Sequence, residues 1–401
     1  MKILQINTVY GIASTGRSMA ELHEYLQSKG HLSYIAAVNI KHTDYSFRIG
    51  SIFENYVHSF FSRLMGKQGY YSNRTTNELL KFIRSKKPDV VHLRVLHSNC
   101  LNIYKLLKFL GEHNYPVVIS LHDCWFFTGH CCYFTEAGCY KWKKACGYCP
   151  EIHKWNKSWF FDRSSQNLAL KKQLFDGIKR LAVVGVSDWV TDFVQDSILR
   201  KATIIRRIYN WIDLEKFKPV DCSLVRKRLG VGDCFVVICI AQNWSALKGL
   251  DDIISLAKRL PNYKFLMVGK CPKEYYPLPQ NIIAVGSTKN IDELVEYYSV
   301  ADVFFNPSLQ ETFGKVTAES LSCGTPVVAY GVTATIELVK PGCGFLISPH
   351  NLDDAVIKLK KIEYDGKESY SANCRTFAVQ NFKKEVLAQE TLNLYKELIN
   401  S

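Results

Sequence analysis

Two glutamates eight residues apart, Glu311 and Glu319, stand in the stretch ETFGKVTAESLSCGTPVVA (311–329), with Gly314 between them. The stretch follows ADVFFNP (301–307), an apolar run that reads as a buried strand. A helix opening near Phe313 or Gly314 would aim its free backbone amides at an anion. Glu311 would then stand in the loop at the mouth of that site. Glu319, two turns into the helix, would offer a fixed acceptor to a pair of vicinal hydroxyls, and Cys323–Gly324 would close the helix. The competing reading is a solvated Lys315–Glu319 pair on a helix face, worth at most a few tenths of a kcal/mol.

Four other constellations carry chemistry. In YGIASTGRSMAELHEYL (10–26), Gly11 and Gly16 would let backbone approach a ligand, and Ser14 or Thr15 would cap a helix beginning near Arg17. In LHDCW (121–125), His122 and Asp123 sit at the carboxyl end of a strand, where open sheets keep functional side chains. In QNWSALKGL (242–250), Lys248 followed by Gly249 offers a cation at a helix start. Cys131, Cys139, Cys146 and Cys149, with Cys132 alongside, could converge as an all-cysteine structural zinc site. The first spacing is longer than usual for zinc, and disulfides are the competing outcome.

These residues need a scaffold. Short apolar runs alternate with amphipathic segments from end to end, the pattern of parallel strands joined by crossover helices. Strands are expected at 2–7, 33–38, 89–94, 116–122 and 180–187, then at 235–241, 264–269, 282–286, 302–307 and 325–330. The fold class is therefore α/β, with two doubly wound Rossmann-like domains at 1–205 and 220–385. The segment 204–219 is read as their junction. The terminal amphipathic segment 386–401 is expected to pack back on the first domain.

At 401 residues the chain is long for a single core. A formal net charge of +14 suits an anionic partner. The opening MKILQINTVYG lacks signal-peptide features and no stretch is apolar enough to span a bilayer, so a cytoplasmic protein with reduced cysteines is expected. Basic and aromatic residues interleave at 55–74, 103–114 and 139–161, which suits peripheral contact with the anionic inner face of a membrane.

The run NPSLQETFGKVTAESLSCGTPVVAYGVTATIELV (306–339) resembles the donor-nucleotide signature of the GT-B retaining glycosyltransferases of family 4. The glycine-rich turn after the first strand, His122, YNWIDLEKFKP (209–219) and the Lys248–Gly249 pair match the same family in order. The cysteine-bearing run from LHDCW to CGYCP further resembles the colanic-acid and exopolysaccharide branch. The resemblance implies two domains facing across a cleft: an N-terminal acceptor domain and a C-terminal nucleotide-sugar domain. It assigns Glu319 to the donor ribose and Glu311 to hydroxyls of the donor sugar. The amides of Phe313, Gly314 and Lys315 would hold the diphosphate with Lys248, the Gly16 turn would line the donor, and His122 would lie against the transferred sugar. It implies a UDP- or GDP-sugar donor, a saccharide or polyprenyl-linked acceptor in surface polysaccharide or lipopolysaccharide synthesis, no catalytic cofactor or metal, and no nucleic-acid partner. One departure stands out: where the family has an arginine before the Lys-Gly pair, this chain has Gln242, Asn243 and Trp244, and Arg17 is one cation that could substitute. The alternatives are a nucleotide-sugar epimerase of the same fold and a basic membrane- or RNA-binding protein with a decayed site, against which both intact carboxylates argue.

Overall fold

A computed structural model describes residues 1–401. The chain divides into two compact units, residues 1–209 with 387–401, and residues 210–386. Each is built on one parallel sheet.

The first sheet comprises β1 (Lys2–Ile6), β2 (Leu32–Ala37), β3 (Ser46–Arg48), β4 (Val90–Leu93), β5 (Val117–Leu121), β6 (Leu181–Gly185) and β7 (Ile204–Arg207). Their spatial order is β3-β2-β1-β4-β5-β6-β7, every pairing parallel. The second comprises β8 (Val236–Asn243), β9 (Lys264–Lys270), β10 (Ile282–Val285), β11 (Val303–Asn306), β12 (Val327–Tyr330) and β13 (Gly344–Ile347), ordered β10-β9-β8-β11-β12-β13. Central strands such as VVISL and VFFN are buried along their whole length, because crossover helices cover both faces of a parallel sheet. In each sheet the order reverses once, between β1 and β4 and between β8 and β11. Loops leaving the carboxyl ends there splay apart and leave a crevice.

Three strands escape the sequence pattern. β3 is three residues long, and β7 carries Arg206 and Arg207 on a half-buried edge, so 204–207 completes the first sheet where a linker was expected. β13 starts at Gly344, whose φ of 135° and close approach to Val327 leave no room for a side chain. The first helix also starts earlier than expected, at Ala13, with Ile12 as its cap, so Ser14 and Thr15 lie inside its first turn.

The last helix, Lys384–Asn400, buries Leu387, Leu394, Tyr395 and Leu398. Its Tyr395 hydroxyl lies 2.6 Å from His92 Nδ1, Gln389 Oε1 accepts from the Tyr25 hydroxyl at 2.8 Å, and Arg180 donates to the Ile399 carbonyl at 3.2 Å. These partners all belong to the first unit, to which residues 387–401 also belong.

Candidate functional site

In the second unit, β8 and β11 lie side by side at the switch point, and each delivers one charged residue from the loop at its carboxyl end. β8 runs into the short turn Ala246–Lys248. β11 runs into the loop 307–314. The two loops are tied together by the Leu309 amide, which donates to the Leu247 carbonyl at 3.0 Å. Lys248 Nζ thereby comes to 2.6 Å from Glu311 Oε1 and 3.3 Å from Ser308 Oγ. The Glu311 backbone is clamped from both sides: its amide donates to Thr333 Oγ1 at 3.0 Å, and its carbonyl accepts from the Ala334 amide at 3.2 Å.

Gly249 explains why the lysine is followed by glycine. Its φ is +73°, and a Cβ there would stand 2.5 Å from Pro307 ring and carbonyl atoms. Backbone contact between the loops sets the Lys248–Glu311 distance. Gly249→Ala is expected to cost about 1–3 kcal/mol of stability through strain and overlap, and to weaken nucleotide binding by displacing Lys248. Thermal unfolding beside a nucleotide titration checks both effects; an unchanged melting point would show that the contact can relax.

The helix Lys315–Ser322 follows, with Gly314 as its left-handed cap at φ 86°. The Thr317 and Ala318 amides donate to the Gly314 carbonyl at 2.9 and 3.2 Å, and the helix start faces the loop end. Cys323 and Gly324 close the helix, Gly324 at φ +70°. Phe313 is buried, its ring edge-on to Phe382. Glu319 is 2% exposed, and its Oε2 lies 3.2 Å from the Tyr298 hydroxyl, which also lies 3.0 Å from the Val316 carbonyl. That burial rejects the solvated helix-face reading of Glu319. A carboxylate buried beside a helix start carries a desolvation cost that a pure fold element could avoid with an apolar residue.

Gly16 and His122 belong to the first unit. Gly16 is buried in the first helical turn, where a Cβ would come within 3.1 Å of Val9. His122 immediately follows β5, as expected of a strand-end residue. Its neighbour Asp123 turns elsewhere: Asp123 Oδ2 lies 2.8 Å from His97 Nε2, and Asp123 Oδ1 accepts from the Trp125 amide at 2.8 Å. Burial acts to raise the Asp123 carboxyl, but His97 and the hydrogen bonds hold it below its ordinary value. Burial, with the nearby Arg94 and His122, holds His92 well below an ordinary histidine. His97, Asp123 and Cys132 bring donor atoms within 4.8 Å of one another.

All fourteen cysteines are free thiols, Cys131 and Cys132 buried and Cys139, Cys146 and Cys149 half-buried.

The sequence missed Tyr298, Ser308, Thr333 and His97. Ser308 lies inside the signature run and was legible there. Tyr298 looks like one more apolar position of an amphipathic helix, and only the fold brings its hydroxyl to Glu319.

Residues 15–216 match the family model described as Glycosyltransferase Family 4, and residues 225–378 the model described as Glycosyl transferases group 1. The chain is 30% identical over 160 residues to the D-inositol 3-phosphate glycosyltransferase of Mycobacterium sp. (strain KMS), a match spanning 37% of this chain and 36% of that protein. It is 26% identical over 337 residues, 80% of either chain, to WcaC of Escherichia coli (strain K12), described as a colanic acid biosynthesis glycosyl transferase. Among solved structures, sucrose-phosphate synthase from Thermosynechococcus elongatus superposes with a TM-score of 0.72 at 17% identity, covering 100% of this chain and 99% of that one. Anabaena HepE in complex with UDP superposes with a TM-score of 0.68 at 17% identity, covering 99% and 100%. With two parallel doubly wound sheets of the GT-B type and family models matched along both, the chain belongs to glycosyltransferase family 4.

Proposed function

We propose that this chain is a retaining, metal-independent hexosyltransferase that moves a sugar from UDP or GDP onto a saccharide or polyprenyl-linked saccharide during bacterial surface polysaccharide or lipopolysaccharide synthesis. The observation that carries the reading is the joint placement, at one switch point, of buried Glu319, the Lys248–Glu311 pair and the amide-bearing start of helix Lys315–Ser322. Breaking the anomeric bond leaves developing negative charge on the nucleoside diphosphate. Lys248 and the amides at Gly314 and Lys315 stabilise that charge without proton transfer, the role a divalent cation would otherwise fill. Glu319 accepts from the ribose hydroxyls. Glu311, already engaged by Lys248, receives donor-sugar hydroxyls and is not required as a nucleophile. His122, directly after β5, and the Gly16 turn, after β1, are the candidate sugar contacts of the first unit. HepE has been solved with UDP, with UDP and glucose, and with UDP-glucose, which supports a uridine donor here. WcaC supports the polysaccharide role. Incubation with a panel of UDP- and GDP-sugars should release nucleoside diphosphate slowly from at least one of them. Release that persists undiminished in Lys248→Ala would remove the site from the reaction.

A peripheral membrane location rests on a different face. The helix Ile52–Met65 is reversed relative to a soluble amphipathic helix: His58 and Ser62 are buried, while Phe53 is 75% and Tyr56 70% exposed. Val57, Phe60 and Phe61 are exposed with them, and Trp159 and Phe160 extend the patch, Phe60 lying edge-on to Trp159. Exposed Arg63, Lys67, Lys154 and Lys157 lie on the same two segments, on a chain of net charge +14, so the occupant is an anionic lipid surface. No helix is long and apolar enough to cross a membrane. The segment 103–114 drops out of this face, because helix Ile103–Glu112 buries Leu106, Leu107, Phe109 and Leu110. The protein should float with phosphatidylglycerol vesicles, less so as salt rises, and Phe53→Glu with Phe60→Glu should stay in the supernatant. Equal recovery of the parent in the supernatant with and without acidic vesicles would end the membrane reading.

A further inference from the structure

Between β5 and the helix Ser164–Asp176, residues 122–163 form a long connection whose sole helical element is the three-residue turn Lys141–Lys143. Irregular segments of this length are uncommon in compact domains unless something staples them. This one is folded inward nonetheless: Trp125, Phe126, Phe127, Phe134 and Trp142 are all buried. Hydrogen bonds within it are mostly local, such as Cys139 amide to Phe134 carbonyl at 3.0 Å and Ala145 amide to Lys141 carbonyl at 2.9 Å.

We propose that Cys131, Cys139, Cys146 and Cys149 bind one zinc ion through four thiolates, and that this ion fixes the connection that begins at His122 and ends at the aromatic tip Trp159–Phe161.

Three observations carry this. First, the connection folds back on itself: a Cβ on Gly129, two residues before Cys131, would stand 3.0 Å from Cys146 Cβ, so the segment of Cys131 meets the turn that carries Cys146 and Cys149. Burial, together with the neighbouring thiols of the four, pushes the Cys131, Cys146 and Cys149 thiols up. Adjacent Cys132 is influenced most by burial, then by Asp123, Cys131 and Cys124. Second, the turn Cys146-Gly147-Tyr148-Cys149 has the form that presents two sulfurs to one ion. Gly147 and Tyr148 both have positive φ, at 140° and 48°, and backbone amides of Gly129 and Glu151 point at the sulfurs of Cys146 and Cys149. Amide donors to sulfur are the outer support that thiolate ligands of a metal use. A side chain on Gly129 would meet Cys146 Cβ at 3.0 Å and the Ser164 carbonyl at 2.1 Å, so the glycine lets the turn seat there. Third, Lys171 is fully buried beside the cluster. Its Nζ donates to the Trp125 and Thr128 carbonyls at 2.6 and 3.0 Å, and no carboxylate forms a salt bridge with it. A tetrathiolate zinc carries a net charge of about −2, which would compensate a buried ammonium. His97, Asp123 and Cys132, whose donor atoms lie within 4.8 Å of one another, are the competing set. Binding releases thiol protons to solvent.

The inference does not depend on the donor site. Elemental analysis of protein purified without chelator, from zinc-supplemented cells, should find about one zinc per chain. Cys139→Ser and Cys149→Ser should lose it, while Cys132→Ala and Cys271→Ser keep it. If the ligand variants fail to accumulate, the parent suffices: an organomercurial that attacks thiols should release about one equivalent of zinc to a colorimetric chelator, and proteolysis at 139–161 should then speed up. Less than about half an equivalent in the parent would overturn the proposal. So would loss of zinc in Cys132→Ala with retention in Cys149→Ser, which would place the ion at His97, Asp123 and Cys132.

Discussion

Glu319→Gln should bind UDP or GDP about ten- to a hundredfold more weakly than the parent, and should turn over more slowly by at least that factor. The carboxylate is buried, and the Tyr298 hydroxyl lies 3.2 Å from its Oε2. A ribose hydroxyl donating to it makes a charge-assisted bond of roughly 1.5–3 kcal/mol, which an amide reproduces poorly. Both donor and product carry the ribose, so the loss appears with the bare nucleotide as well. Tyr298→Phe removes an orienting partner without removing the acceptor, and belongs at the weak end of that range. Calorimetry with the nucleoside diphosphate checks the effect. Parent-like affinity in Glu319→Gln would mean that the buried carboxylate serves the fold alone.

The opposite pattern is expected at Glu311. Lys248 Nζ is 2.6 Å from Glu311 Oε1, so before donor arrives the lysine's charge is partly spent on a protein carboxylate. Glu311→Gln frees that charge. Bare nucleotide should bind as tightly as in the parent or slightly tighter, while sugar transfer falls by about a hundredfold or more as the hydroxyl acceptor is lost. Lys248→Ala should weaken nucleotide and nucleotide sugar alike, by about ten- to a hundredfold, since it acts on the diphosphate they share. Comparing the nucleoside diphosphate's Kd with the transfer rate separates the two roles. If Glu311→Gln lost nucleotide affinity in parallel with Lys248→Ala, the pair would act as one unit and the glutamate would have no separate business with the sugar.

The contrast between these two carboxylates shows what was readable beforehand. Strand-then-helix alternation and buried runs such as VFFN made both parallel sheets legible, because a strand covered on both faces must be apolar throughout. Edge strands β3 and β7 were not legible, since an edge tolerates short or charged sequence and Arg206 and Arg207 look like a linker. The eight-residue spacing located Glu311 and Glu319. Their environments follow from contacts across the fold that no local pattern encodes: Lys248 reaches Glu311 because Gly249 packs on Pro307, and Tyr298 reaches Glu319 from a separate helix. Adjacency in sequence misled at Asp123, which follows His122 but pairs with His97 from the loop after β4. The same limit applied to the aromatic segments: Phe53 faces solvent and Phe109 faces the core, although both lie in helices rich in apolar and basic residues.

The most direct measurement is the proton NMR spectrum of the reaction with a nucleotide sugar of known anomeric configuration, run in excess chelator. The expected result is release of the nucleoside diphosphate with the chelator present, and a first-formed product whose sugar keeps the donor's anomeric configuration. A first-formed product of inverted configuration, or turnover abolished by the chelator and restored by a divalent cation, would contradict a retaining transfer driven by Lys248 and the amides at Gly314 and Lys315.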